Sequence, residues 1–221
     1  MNEPGPGLLA IWSTVTRDFE TDYLHWLTRE HVFERVGVPG FRSGRVFRRP
    51  MAGASEYVIL YELDNANVMS SEGYRARLDS PTPWTQRIMP RLAGFRRGGG
   101  TVLASTGNAD ASGSRVSIAR FLHEMPEHCT SDTTPRRLDA IVSVDRATDA
   151  SVMQVATDAT GIATREKSMR RGDEGSFVGA ILIESLDDLS AAAAIEVASG
   201  QLAIAVEDFE VYELVFTFHR P

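Results

Sequence analysis

The chain has 221 residues, 43% hydrophobic and 24% charged, enough for one large globular domain or two smaller ones that share a core. A formal net charge of −7 makes nucleic acid and anionic membrane poor partners. No apolar run approaches the roughly 18 residues of a membrane helix, residues 1–7 lack a basic leader start, and the single cysteine, Cys129, forms no internal disulfide, so a cytoplasmic location is expected.

Residues 8–15 form an apolar run of strand length. Asp18 is placed to cap a helix over 19–36, which Gly37-Val38-Pro39-Gly40 stops. Alternation over 41–49 predicts a second strand, and 57–63, rich in Tyr, Val, Ile and Leu, a third. A second helix is expected over 65–78 with a short helical return over 84–92. A strand over 95–105 follows, its Gly98-Gly99-Gly100 suggesting a bulge or bend. The small, polar residues 107–114 read as a linker.

The order then repeats. Strand 115–122, a helix from Thr134-Pro135 to about Arg146, a poorer strand from Val152, strand 177–184, an alanine-rich helix over 187–199 and strand 209–219 complete a second half. Residues 57–64 match residues 177–184, each followed by an acidic cap and a helix. Each half is therefore predicted to be a ferredoxin-like βαββαβ module, at 1–106 and 115–221. Strand 57–63 is apolar on both faces, so the α+β fold expected is two modules packed sheet to sheet.

The stretch Tyr23-Leu24-His25-Trp26-Leu27-Thr28-Arg29-Glu30-His31, followed by Val38-Pro39-Gly40-Phe41, resembles EthD-like domains. These carry an aromatic pair and a histidine on the first helix and a Pro-Gly turn into the second strand. The whole order resembles the dimeric α/β-barrel superfamily in tandem form, where two modules of one chain stand in for two subunits as a pseudo-dimer. The resemblance implies a ligand site between the sheet and helices of a module. It also implies a choice between proton-transfer enzymes, monooxygenases and haem-binding members.

On a straight helix Phe19, Tyr23, Trp26, Leu27 and Phe33 form one apolar stripe, with Glu30 at its centre, Glu34 on its flank and His31 at its edge. A carboxylate so placed must be paired, for which Arg45 is the nearest strand candidate, or serve as an acid or base of raised pKa. His31 is placed to assist it near neutral pH. Trp12, Phe47 and Tyr61 are expected on one cavity floor, with Tyr23 and Trp26 above and Trp84 as a cap. Tyr61 or Arg45 is expected to steady an oxyanion. Glu30, His31 and Glu34 lack the second ligand motif that a helical metal site needs, so no metal is expected.

The function expected is cofactor-independent proton-transfer chemistry (isomerisation, cyclisation, decarboxylation or elimination) on a small aromatic, polyketide-like or ring-fission metabolite. Glu30, His31 and Tyr61 are its catalytic groups, and Trp12, Tyr23, Trp26, Arg45, Phe47 and Trp84 hold its substrate. The alternatives are a monooxygenase or haem-binding protein, with His31 as the first-half axial ligand, and a non-catalytic small-molecule binder. The partner is a small molecule, with self-association into a homodimer left open.

Overall fold

Leu8, Leu9, Ala10, Trp12 and Val15 bury both sides of a pleated chain and make β1 (Gly7–Thr16). The computed structural model describes residues 5–107, 112–157, 163–172 and 174–220. After β1 runs an uninterrupted helix in three segments: α1 (Glu20–Trp26), a π-helical turn (Leu27–His31) and α2 (Val32–Val36). Phe19 occupies its N-cap and no side chain bonds there, so Asp18 does not cap it. The chain leaves through Gly40 at φ +92°, where a Cβ would strike the Val68 side chain.

The antiparallel pair β2 (Phe41–Met51) and β3 (Ala54–Leu63) comes next, then a 3₁₀ turn (Ala66–Ser70). Ser71 caps α3 (Glu72–Asp79), and Thr82 caps α4 (Pro83–Ile88), whose first turn holds Pro83. In β4 (Ala93–Gly107), Gly98, Gly99 and Gly100 pair in even register with Ala10, Leu9 and Leu8. The irregularity lies instead between Trp12 and Thr14 of β1. Gly99 serves close approach rather than a bulge, since a Cβ there would collide with the Met69 sulfur.

The remaining elements are β5 (Arg115–Phe121), α5 (Thr134–Val142), β6 (Ala147–Val155), α6 (Arg165–Met169), β7 (Gly179–Ser185), α7 (Asp188–Leu202) and β8 (Glu210–His219). Asp187 caps α7 reciprocally with Ser190. Of the predicted linker, residues 108–111 lie outside the described ones.

The chain divides into two compact units. The first comprises Met1–Thr101, Ala156–Ser176 and Val215–Pro221, and the second Val102–Val155 and Phe177–Leu214. α6 thus belongs to the first unit, although it follows β6 in sequence.

In the first unit the strand order is β4–β1–β3–β2, all antiparallel. Leu9 faces Tyr61 across β1 and β3, and Ile11 faces Ile59; these four pack with Tyr23, Trp26, Leu27 and Val32 of the helix. Trp12, Val58 and Phe47 follow the opposite parity and are buried on the sheet's other face. Both faces of β3 are buried, as its apolar sequence requires.

In the second unit the order is β8–β5–β7–β6. Leu138 and Ile141 of α5 and Ala194, Ala198 and Leu202 of α7 pack with Ile181 and Ile183 of β7.

Candidate functional site

The site begins with the π-turn. The Val32 amide donates to the Leu27 carbonyl five residues back, instead of four. One extra residue in the turn sets everything after it back by about 100° relative to a straight helix. His31 takes the inward position that straight periodicity assigns to Glu30, and Arg35 the one assigned to Glu34. Phe33, expected in the apolar stripe, is 37% exposed and packs edge-on against Phe216 and Phe218, while His31 and Arg35 are buried at 3% and 2%.

The His31 ring lies on Trp26 with centroids 4.0 Å apart. Its Nδ1 is buried without a hydrogen-bond partner. Burial, helped by the Arg35 guanidinium, pushes the imidazole well below its ordinary pKa of 6.5, so it stands neutral at physiological pH. Arg35 Nη2 donates to Glu166 of α6, and Nη1 lies 3.6 Å from Glu34. Burial works against the Arg35 charge, but Glu166 and Glu34 beside it outweigh that and push its pKa above the ordinary value, so it stays charged. Tyr61, fully buried, has an unpartnered hydroxyl. Desolvation raises its pKa well above 10, so the phenol keeps its proton beside the field of Arg35.

Glu30 sits at the helix flank. It accepts a 2.6 Å hydrogen bond from the Thr82 hydroxyl, which lies 3.1 Å from that of Thr85; Thr85 in turn accepts from Trp26 Nε1 at 3.0 Å. The carboxylate therefore anchors the ring on which His31 rests. Arg45 does not meet it: Arg45 pairs with Glu62 at 3.2 Å on the far face of the sheet, its guanidinium 5.7 Å from the Phe47 ring centroid.

His31 and Arg35 line a narrow surface cleft. Ile11, Met69, Leu78 and Phe95 supply its apolar wall. Its charged wall holds Arg35, Arg75, Arg97, Lys167 and Arg170, with Glu166 among them. That concentration of cations stands out in a chain of net charge −7. Arg97 Nη2 donates to the Tyr74 hydroxyl at 3.2 Å, and the Arg170 guanidinium lies 3.9 Å from the Phe95 ring centroid. Lys167 and Arg170 both reach Glu174, at 3.0 and 3.6 Å.

Of the nine residues singled out from sequence, His31, Trp26, Tyr61 and Tyr23 share the helix-facing side of the first sheet; Tyr23 is spent on Ser13, 2.8 Å away. Trp12, Arg45 and Phe47 lie on the other face, so Tyr61 does not share a floor with Trp12 and Phe47. Trp84 donates to Asp22 at 3.1 Å, outside the cleft lining. Sequence reasoning missed Arg35, Arg97, Glu166 and Arg170. It missed Lys167 too, although that is the chain's only lysine. Among the described residues no three His, Cys, Asp or Glu side chains gather into a metal-binding group, and no helix is long and apolar enough to cross a membrane.

No protein-family profile and no curated protein sequence matches the chain. Solved structures do. A proposed monooxygenase of Fusobacterium nucleatum superposes with a TM-score of 0.59 at 11% identity, over 99% of this chain and 96% of that one. An anthrone oxidase-like protein gives 0.53 at 14% identity, over 99% and 94%. A proposed chlorite dismutase gives 0.52 at 11%, over 96% and 95%. The fold is that of the dimeric α/β-barrel proteins. At such identities the likeness carries architecture, and the chemistry rests on the side chains of the cleft.

Proposed function

We propose that this chain is a monooxygenase-type enzyme that needs no resident cofactor and acts on a small aromatic molecule with an acidic C–H beside a carbonyl. The observation that carries the reading is His31: a neutral, buried imidazole turned by a π-helical turn into a cation-lined cleft. An imidazole nitrogen takes the proton from carbon. The electrons left behind delocalise onto the carbonyl oxygen, where the positive field of Arg35 and its neighbours favours an oxyanion. Tyr61 is fully buried and does not line the cleft, so it has no part in this reading. The substrate carbanion then reacts with dioxygen: a CH₂ becomes C=O, and the second oxygen atom leaves as water. The similarity to monooxygenase-type and anthrone oxidase-like folds supports oxygen as the second reactant.

This reading replaces Glu30 with His31 as the proton acceptor and gives Glu30 a positioning role through Thr82, Thr85 and Trp26. The tandem arrangement, with an EthD-like first half that carries the site, is part of the proposal. It rests on the repeated strand-helix order and the residues 23–31.

The test is an oxygen electrode with anthrone as probe. The protein consumes one O₂ per anthrone, and His31→Gln lowers the rate by about 10²–10⁴-fold. Turnover that continues unchanged without oxygen would move the protein to the isomerase or lyase class. A His31→Gln variant at full rate would remove the histidine from the mechanism.

A further inference from the structure

We propose that Met69 sets the size of ligand that the cleft takes: seated on Gly99, it ends the cleft floor and favours one- and two-ring ketones over longer fused ones. The inference rests on reading this cleft as the substrate site, and it adds the dimension of the substrate.

The floor of the cleft is laid by the first sheet. Ile11 of β1 and Arg97 of β4 are cross-strand partners, and both line it. The next pair that points the same way is Leu9 and Gly99. Gly99 brings no side chain there, and the Met69 thioether lies where its Cβ would be. Met69 lines the cleft as well, so a floor that would run on across Gly99 stops at its side chain. Successive rows along a strand lie about 7 Å apart, roughly the breadth of one aromatic ring. Met69 therefore covers the space of one further ring. His31 Nδ1, buried without a hydrogen-bond partner in the same lining, marks the cleft as a place where a ligand supplies the missing contact.

The Met69 backbone is fixed and its side chain is not. Its 3₁₀ turn, Ala66–Ser70, is pressed against the sheet: a Cβ on Gly7 would lie 2.6 Å from the Asn65 carbonyl carbon. Val68 in turn packs on Gly40, where a Cβ would strike both of its methyl groups. The turn as a whole has no room to step aside. The methionine side chain is unbranched and adapts to irregular gaps, so it yields to a larger ring at a cost, where a branched residue held at χ1 would not. A three-ring ligand enters by lifting Met69 off Gly99.

The probes are 1-tetralone, with two fused rings, and anthrone, with three, titrated by calorimetry without oxygen against the intact protein. Met69→Ala should raise the affinity for anthrone relative to 1-tetralone by about tenfold. Gly99→Ala should lower the same ratio by about tenfold, because its methyl drives the thioether off its seat and into the cleft. The double variant Gly99→Ala/Met69→Ala should recover at least the parent ratio. A ratio that stays within about twofold of the parent in both single variants overturns the proposal. The unaltered protein supplies a second reading, which stands even if a variant fails to fold. With carbon-13 at the methionine methyl groups, the Met69 resonance, assigned with Met69→Leu, should shift when anthrone binds and much less with 1-tetralone. Anthrone that binds without moving that resonance overturns the proposal, as does a failure of both ketones to bind at about 0.1 mM. Oxygen uptake is read separately: bound anthrone without uptake breaks the oxygen chemistry and leaves the size limit standing, whereas uptake with an unmoved Met69 does the reverse.

Discussion

The first helix of each unit meets its sheet in a different way. α5 is straight, and its buried residues Thr134, Leu138 and Ile141 follow the spacing of an ordinary amphipathic helix. Its core partners are aliphatic for the most part, and the small residues Ala191, Ala194 and Ala198 let α7 come close. The Glu20–Val36 helix carries one extra residue at the π-turn, and that residue turns His31 and Arg35 to the inside. A straight helix here buries hydrocarbon; the distorted one buries a base and a charge at a cost in desolvation. Such a cost is tolerated where the buried groups perform chemistry, which is the physical reason to place the site in the first unit.

The largest effect expected from breaking this contrast is on stability. Arg35→Met leaves Glu166 without its buried guanidinium and should cost about 3–5 kcal/mol in chemical denaturation. The double variant Arg35→Met/Glu166→Met should recover most of that loss, because no charge is then left buried alone. In the second unit, Leu138→Ala should cost about 2–5 kcal/mol through its cavity, and no second substitution of a charge will restore it. If the double variant is no more stable than Arg35→Met, the pair is not the unit that matters.

A smaller effect is expected in the pH dependence of stability. The His31 pKa is lowered in the folded protein, so between about pH 6.5 and its folded value the unfolded chain binds a proton that the native state refuses. Stability contributed by the neutral ring is therefore complete above pH 6.5 and is lost as the pH falls below it, by at most about 1.4 kcal/mol per pH unit. His31→Gln should remove that slope. A parent and variant with parallel stability curves from pH 7 to 5 would show that the ring is not held neutral. The same lowering predicts that turnover persists below pH 6.5, where an ordinary histidine base would be protonated.

The smallest effect is expected at Glu30. Glu30→Gln keeps an acceptor for the Thr82 hydroxyl and should change anthrone turnover by less than about tenfold, with the 280 nm circular dichroism of Trp26 preserved. A loss of 10²-fold or more would return Glu30 to the centre of the chemistry.

Much of this protein can be read from its order of residues alone. Alternation and apolar runs mark the strands, Pro, Gly and small polar residues mark the breaks between them, and the Asp187 cap announces α7. These signals are local, set by backbone geometry over a few residues, and they survive whatever the rest of the chain does. The first helix was legible as a helix with a buried aromatic stripe, and Tyr23, Trp26 and Leu27 are buried as read.

Tertiary structure decided which side chains meet in the cleft. A period of 3.6 residues carries no sign of a π-turn, so an extrapolation along the helix places Glu30 inside and His31 at the edge, whereas the extra residue buries His31 and leaves Glu30 at the flank. Strand parity was visible within each strand. The pairing register that sends Tyr61 to the helix side and Trp12 and Phe47 to the other exists only between strands. Glu166 reaches Arg35 across 131 residues of sequence, bringing Lys167 and Arg170 to the same wall. Sequence determined the elements because each is stabilised by its own neighbours; the cleft and its charge came from contacts that no local pattern encodes, made when distant segments pack together.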